Sequence, residues 1–196
     1  MATATKSKTT QSKPDRKSGT GALIGAAAIG VAAGLVANLG RKVAVQGVTT
    51  AAGDWVDGLK AEHAIALAIF DTIEKTDDTQ VRRRSLLLMQ LKHALGKHAF
   101  QEENVVYPAM RRHGQADAAD ALNRDHGYVK QYLFDLTEIA RSDPRWLPKV
   151  RAFRADLEKH IREEEDVLFP ALKAALGETG NRHVTRAMNK EGFKLA

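Results

Sequence analysis

Cysteine is absent from all 196 residues, which removes disulfide frameworks, thiolate metal sites and cysteine nucleophiles together. Any bound metal must then be held by nitrogen and oxygen. The same absence fits a reducing compartment, and the expected location is cytoplasmic or membrane-associated. From Asp54 onward no polar–apolar alternation of strand type occurs, so sheet-based classes are excluded and every periodic stretch reads as helix. Aromatic residues are missing from the basic N-terminus. Residues 1–20 hold Lys6, Lys8, Lys13, Arg16 and Lys17 against Asp15, most of the formal +6 charge, with no ring to stack on a base. We read this tail as a disordered, solubilising or surface-associating arm rather than a specific nucleic-acid reader.

Charge is missing altogether from Gly21 to Gly40, GALIGAAAIGVAAGLVANLG. Its length matches a membrane span, and Gly21-x-x-x-Gly25 and Gly30-x-x-x-Gly34 carry the small-residue spacing of closely packed helices. Seven alanines and five glycines leave its insertion energy marginal. Three readings stay open: a glycine-zipper helix that packs on itself, a partner or a membrane surface; an anchor; and a cleaved signal segment. Residues 21–50 are expected to combine this segment with a linker.

Four helices follow. Asp54 opens the first, whose stripe of Trp55, Leu59, His63, Ala66 and Phe70 runs towards Asp77-Asp78. The second spans Thr79 to about Tyr107, where Pro108 kinks or ends it; the third spans about Asp117 to Arg141. Asp143-Pro144 turns the chain into the fourth, from near Trp146 to Gly177. Short connections predict an all-α, up-down-up-down four-helix bundle over residues 54–176, preceded by the Gly/Ala-rich helical segment. Residues 177–196 are expected to be a polar, loosely attached tail.

What is present twice is more informative. His98-x-x-x-Glu102, followed by Tyr107-Pro108-Ala109, recurs as His160-x-x-x-Glu164, followed by Phe169-Pro170-Ala171; a lone histidine, His63 and then His126, precedes each pair. Residues four apart on a helix lie about 40° apart around it, so each pair leaves one face a single turn apart. Singly, each of these residues reads as a half-buried histidine or a solvated acid. Together they place one histidine on every helix and a glutamate on two, the arrangement from which bundle cores build carboxylate-bridged metal sites. Imidazole and carboxylate suit iron, manganese or zinc. The candidate ligands are His63, His98, Glu102, His126, His160 and Glu164. His93, His113 and His183 are expected on the surface.

These residues closely resemble the bacterial form of the hemerythrin family, with its two His-His-Glu cation-binding repeats; the matching stretch runs from about Asp54 to Leu176 and includes both post-pair signatures. The resemblance implies a non-haem centre of two iron ions bridged by Glu102 and Glu164, with the four histidines as terminal ligands and a small ligand such as O2 as partner. Oxygen carriers of the family have a further histidine where this chain has Lys130. That departure turns the expectation from oxygen carriage towards binding or sensing oxygen, a related ligand or iron, with Glu62 or Glu103 filling in as ligand. The alternatives are a di-iron enzyme acting on peroxide or nitric oxide, and a membrane-associated helical scaffold driven by Gly21 to Gly40.

Overall fold

The computed structural model describes Met1, Lys42, Gln46, Gly47 and residues 49–196. Helix α1 (Trp55–Glu74) begins where expected and is capped: the Asp54 carboxylate accepts from the N–H groups of Val56 and Asp57, two of the donors a helix start leaves unpaired. Helices α2 (Val81–Gln101), α3 (Tyr107–Arg112), α4 (Ala116–Glu138), α5 (Trp146–Glu163) and α6 (Phe169–Leu195) follow. Among the described residues there is no strand. Helices α1, α2, α4 and α5 pack as a ring of neighbours, α1 on α2, α2 on α4, α4 on α5 and α5 back on α1, giving the four-helix bundle expected.

Pro108 and Pro170 do not end their helices. Each follows a π-helical stretch, Glu102–Val106 and Glu164–Leu168, through which the helix continues. A proline ring clashes with the carbonyl four residues back and has no N–H to offer it. Widening the turn by one residue removes that demand: the Tyr107 N–H bonds the Glu102 carbonyl, and the Phe169 N–H that of Glu164, five residues back. The two glutamates of the repeated motif therefore each begin a π turn.

Two apolar clusters lie at opposite ends of the bundle. One is built on Phe70, Leu91, Leu136, Trp146 and Phe153, the other on Trp55, Leu59, Tyr107, Met110, Leu122 and Phe169. The repeated histidines and glutamates occupy the layer between them. At the first end, the buried Arg84 guanidinium donates to the Thr76 hydroxyl at 2.9 Å and its carbonyl at 3.1 Å, and to the Arg141 carbonyl at 2.5 Å, tying together the loops that follow α1 and α4.

Two expectations need correction. Residues 178–195 are not a loose tail. The chain passes Gly177 at φ 59°, a conformation glycine adopts without strain, and resumes as helix, burying Val184 and Met188 in the core. Asn181 accepts from the Trp55 indole N–H at 2.8 Å, and the Thr185 hydroxyl accepts from the Trp55 backbone N–H at 3.1 Å. Nor is the stretch before residue 50 simply a linker. Gln46, Gly47 and 49–51 are helical, Gln46 and Thr49 are buried, and the Lys42 ammonium donates to the Phe193 carbonyl at 3.1 Å. The segment Gly21 to Gly40 lies outside the described residues, and no helix among those described is long and apolar enough to cross a membrane.

Met188 is 1% exposed, so Met188→Ala should cost about 2–4 kcal/mol through lost burial and a residual cavity. Chemical denaturation measures this; a loss below about 0.5 kcal/mol, the range of substitutions at exposed sites, would show that α6 contributes little.

Candidate metal centre

His63 on α1, His98 at the end of α2, His126 on α4 and His160 on α5 are each at least 94% buried, and Glu102 and Glu164 are fully buried. All six expected residues meet in one layer. The Nε2 atoms of His63 and His98 face each other at 2.9 Å. His98 Nε2 lies 3.1 Å from Glu102, and His63 Nε2 lies 3.4 Å from Glu164. On the other side His126 Nε2 lies 3.3 Å from Glu102, and His160 Nε2 lies 3.3 Å from Glu164. Two groups of donor atoms result, His63, His98, Glu102 and Glu164 in one, Glu102, His126 and His160 in the other, each within 4.8 Å. Glu102 belongs to both.

The outward nitrogens are equally regular. Every Nδ1 faces a carboxylate: His63 that of Glu165 at 2.7 Å, His98 that of Glu62 at 3.3 Å, His126 that of Glu103 at 3.0 Å and His160 that of Asp125 at 3.3 Å. In both repeats the acid preceding the lone histidine holds the pair histidine of its own repeat. The second acid of each Glu-Glu doublet holds the lone histidine of the other repeat. Such partners fix the ring tautomer, leaving Nε2 to act as ligand. Glu62 and Glu103, expected as substitute ligands, thus lie on the outer side of the rings. The signal that finds them was present: an acid precedes both lone histidines, and an acid follows both motif glutamates.

Tyr107 has a role its position in the motif did not disclose. Its hydroxyl donates to Glu164 at 2.9 Å, lies 3.3 Å from Glu102 and 3.0 Å from His126 Nε2. Burial, then the charges of Glu102 and Glu164, push its ionisation well above the ordinary range, so the phenol stays protonated. The corresponding residue of the second repeat, Phe169, has no hydroxyl and lies parallel to the His63 ring at 6.4 Å. Lys130 points outward, its ammonium 3.0 Å from Glu103. His93, His113 and His183 are exposed.

Electrostatics inside the layer are set by compensation. Burial opposes the charge of Glu102, yet His98 and His126 hold it well below the usual carboxylate range. Glu164 is likewise lowered by His160 and His63 against burial and the repulsion of Glu102. Burial opposes the charge of His98 too, but Glu102 and Glu62 raise it well above 6.5; His160 rises to about 9, burial again being outweighed by Glu164 and Glu102. Glu62 falls to about 2, because His98 and the buried Lys97 ammonium outweigh its desolvation. Glu102 Oε1, Glu164 Oε2 and His160 Nε2 are buried without hydrogen-bond partners among the described residues. Inward-facing lone pairs of carboxylate and imidazole are what a nitrogen- and oxygen-preferring cation requires, so the residues fit a metal.

The family model for the hemerythrin HHE cation binding domain matches residues 55–172. Among curated proteins, the chain is 27% identical over 118 residues to one described as a DNA nickase from Nostoc sp., covering 60% of this chain and 33% of that one. It is 23% identical over 137 residues to a hemerythrin-like protein of Schizosaccharomyces pombe, covering 68% of this chain and 66% of that one. The chain thus spans a third and just under two thirds of these relatives. Among solved structures, a hemerythrin HHE cation binding domain-containing protein from Mycobacterium kansasii superimposes with a TM-score of 0.63 at 20% identity, over 73% of this chain and 87% of that one.

With metal stripped, His160 should titrate near 9 rather than 6.5. A raised folded-state value contributes stability that is fully present below 6.5 and is lost as pH rises through about 9. Thermal melts of stripped protein should therefore fall between these limits, and fall less in His160→Gln. A melting temperature flat across that window would contradict the assignment.

Proposed function

The chain belongs to the hemerythrin HHE cation-binding family, and from that premise we propose that it is a non-haem di-iron protein whose centre binds or senses a small ligand such as dioxygen. The observation that carries this reading is that the two donor groups share Glu102 while all four Nε2 atoms point inward. In this reading His63, His98 and Glu164 would hold one ion and His126 and His160 the other, with Glu102 available to both. Bound iron supplies Lewis-acid and one-electron redox chemistry. Manganese or zinc suit the same donors.

The chain's own residues do the rest. The outer carboxylates hold the rings in register, the two apolar clusters close the layer from both ends of the bundle, and Tyr107 keeps a proton beside Glu102 and Glu164. That phenol also favours a second reading, a di-iron enzyme acting on peroxide or nitric oxide, because a positioned O–H can deliver a proton where charge develops.

Anaerobic iron loading should give about two ions per chain, with oxygen- or azide-dependent near-ultraviolet bands. His98→Ala and His160→Ala should each lower the count by about one or more, since each removes a terminal donor. Elemental analysis with absorption spectroscopy reads this, and parent protein that keeps neither metal nor bands would end the proposal. Sustained turnover with a reductant, slowed in Tyr107→Phe at unchanged iron content, would select the enzyme reading.

A further inference from the structure

The two halves of the centre are not equally accessible. Over His98 the chain is closed: Glu62, 7% exposed, accepts from the Thr49 hydroxyl at 2.6 Å and from Lys97 at 2.5 Å, and Thr49 and Lys97 are themselves 2% and 5% exposed. Thr49 thus covers the outer edge of that half, while Phe169 backs His63. The second half has clefts. One, of about 220 Å³ between α2 and α4, is lined by Gly96, Ala99, Val129 and Leu133 and reaches Glu103 and His126. A larger one of about 480 Å³ between α4 and α5 reaches His160.

Their linings differ in degree. The larger cleft mixes Tyr132, Phe153 and Leu157 with Asp125, Asp156 and Glu163, and Asp125 stands at the His160 ring. A neutral, apolar molecule gains less there than between walls that are apolar almost throughout. In the smaller cleft the walls are predominantly apolar, and charge is confined to the exposed Lys130–Glu103 pair. Gly96, an exposed residue, is part of its lining, and a carbon added there would meet no atom of the described residues within 4 Å, so a larger side chain has room. The inner wall is His126, which is 3% exposed and whose Nε2 lies beside Glu102 and Tyr107. The cleft therefore adjoins the proposed ligands of one ion and is sized for a few small molecules.

We propose that uncharged ligands of diatomic size approach the centre from its His126–His160 half, through the apolar cleft between α2 and α4, and that this half takes up exogenous ligand. The inference rests on the metal reading above. The closed His63–His98 half then serves to hold its ion rather than to exchange ligands. The test fills the cleft. Gly96 is helical with ordinary backbone angles, so a larger residue is accommodated there and raises helix propensity.

Association of nitric oxide with the ferrous protein, followed by stopped-flow absorbance, should slow at least about tenfold in Gly96→Phe and stay within about twofold in Gly96→Ala, at unchanged iron content. Independently of metal, xenon added to stripped protein should shift the methyl resonances of Leu95 and Leu133 in the parent, and not in Gly96→Phe. Unchanged nitric oxide association in an iron-replete Gly96→Phe protein, or no xenon shift in the parent, overturns the proposed route. A parent without iron but with the xenon response overturns the metal reading and leaves a gas-binding cleft.

Discussion

Two fully buried carboxylates, Glu102 and Glu164, are the constraint on which the rest of the structure depends. Removing one ionised carboxylate from water costs several kcal/mol after relaxation, and a second nearby adds repulsion. A bundle core accepts them only if cationic or hydrogen-bond-donating groups surround them. Four imidazoles and the Tyr107 phenol do so, all reaching inward from different elements. The apolar clusters above and below cannot supply any of that compensation. The polar layer is therefore a continuous requirement on α1, α2, α4 and α5 together, and it fixes how those helices face one another.

The requirement extends outward by one further shell. An imidazole that must present Nε2 inward needs an acceptor for its other nitrogen, and the chain places a carboxylate at each. Glu103 and Glu165 adjoin the motif glutamates in sequence yet serve rings on other helices. Each doublet Glu-Glu starts a π turn, so one acid of the doublet points inward and its neighbour reaches a flanking helix. The prolines that follow, by withholding an N–H, make that wider turn the satisfied conformation.

Much of this was legible before any coordinates. The duplicated His-x-x-x-Glu pair, the lone histidines and the helix start near Asp54 are local patterns, and local patterns survive folding. What escaped depends on tertiary partners. Gly177 reads as a stop, but Val184 and Met188 find a core that belongs to the other end of the chain, including Trp55. Thr49 and Lys97 are ordinary surface types until burial pairs both with Glu62. The π turns were hidden because proline ordinarily signals an end, and only the continuing apolar face shows that the helix goes on.

The duplication also shows where the halves have parted. Corresponding positions carry Tyr107 against Phe169, and buried Lys97 against exposed Lys159. Glu62 is desolvated under Thr49 and held near 2, whereas its counterpart Asp125 is 43% exposed in its side chain. Each difference acts in the same direction: around His98 it adds buried ionic contacts, and around His126 it adds a proton donor and leaves a cleft. A two-fold ligand arrangement needs no such asymmetry to hold cations. Its presence leaves buried ionic contacts around His98 and clefts around His126 and His160, so the two copies of one motif have come to sit in different surroundings.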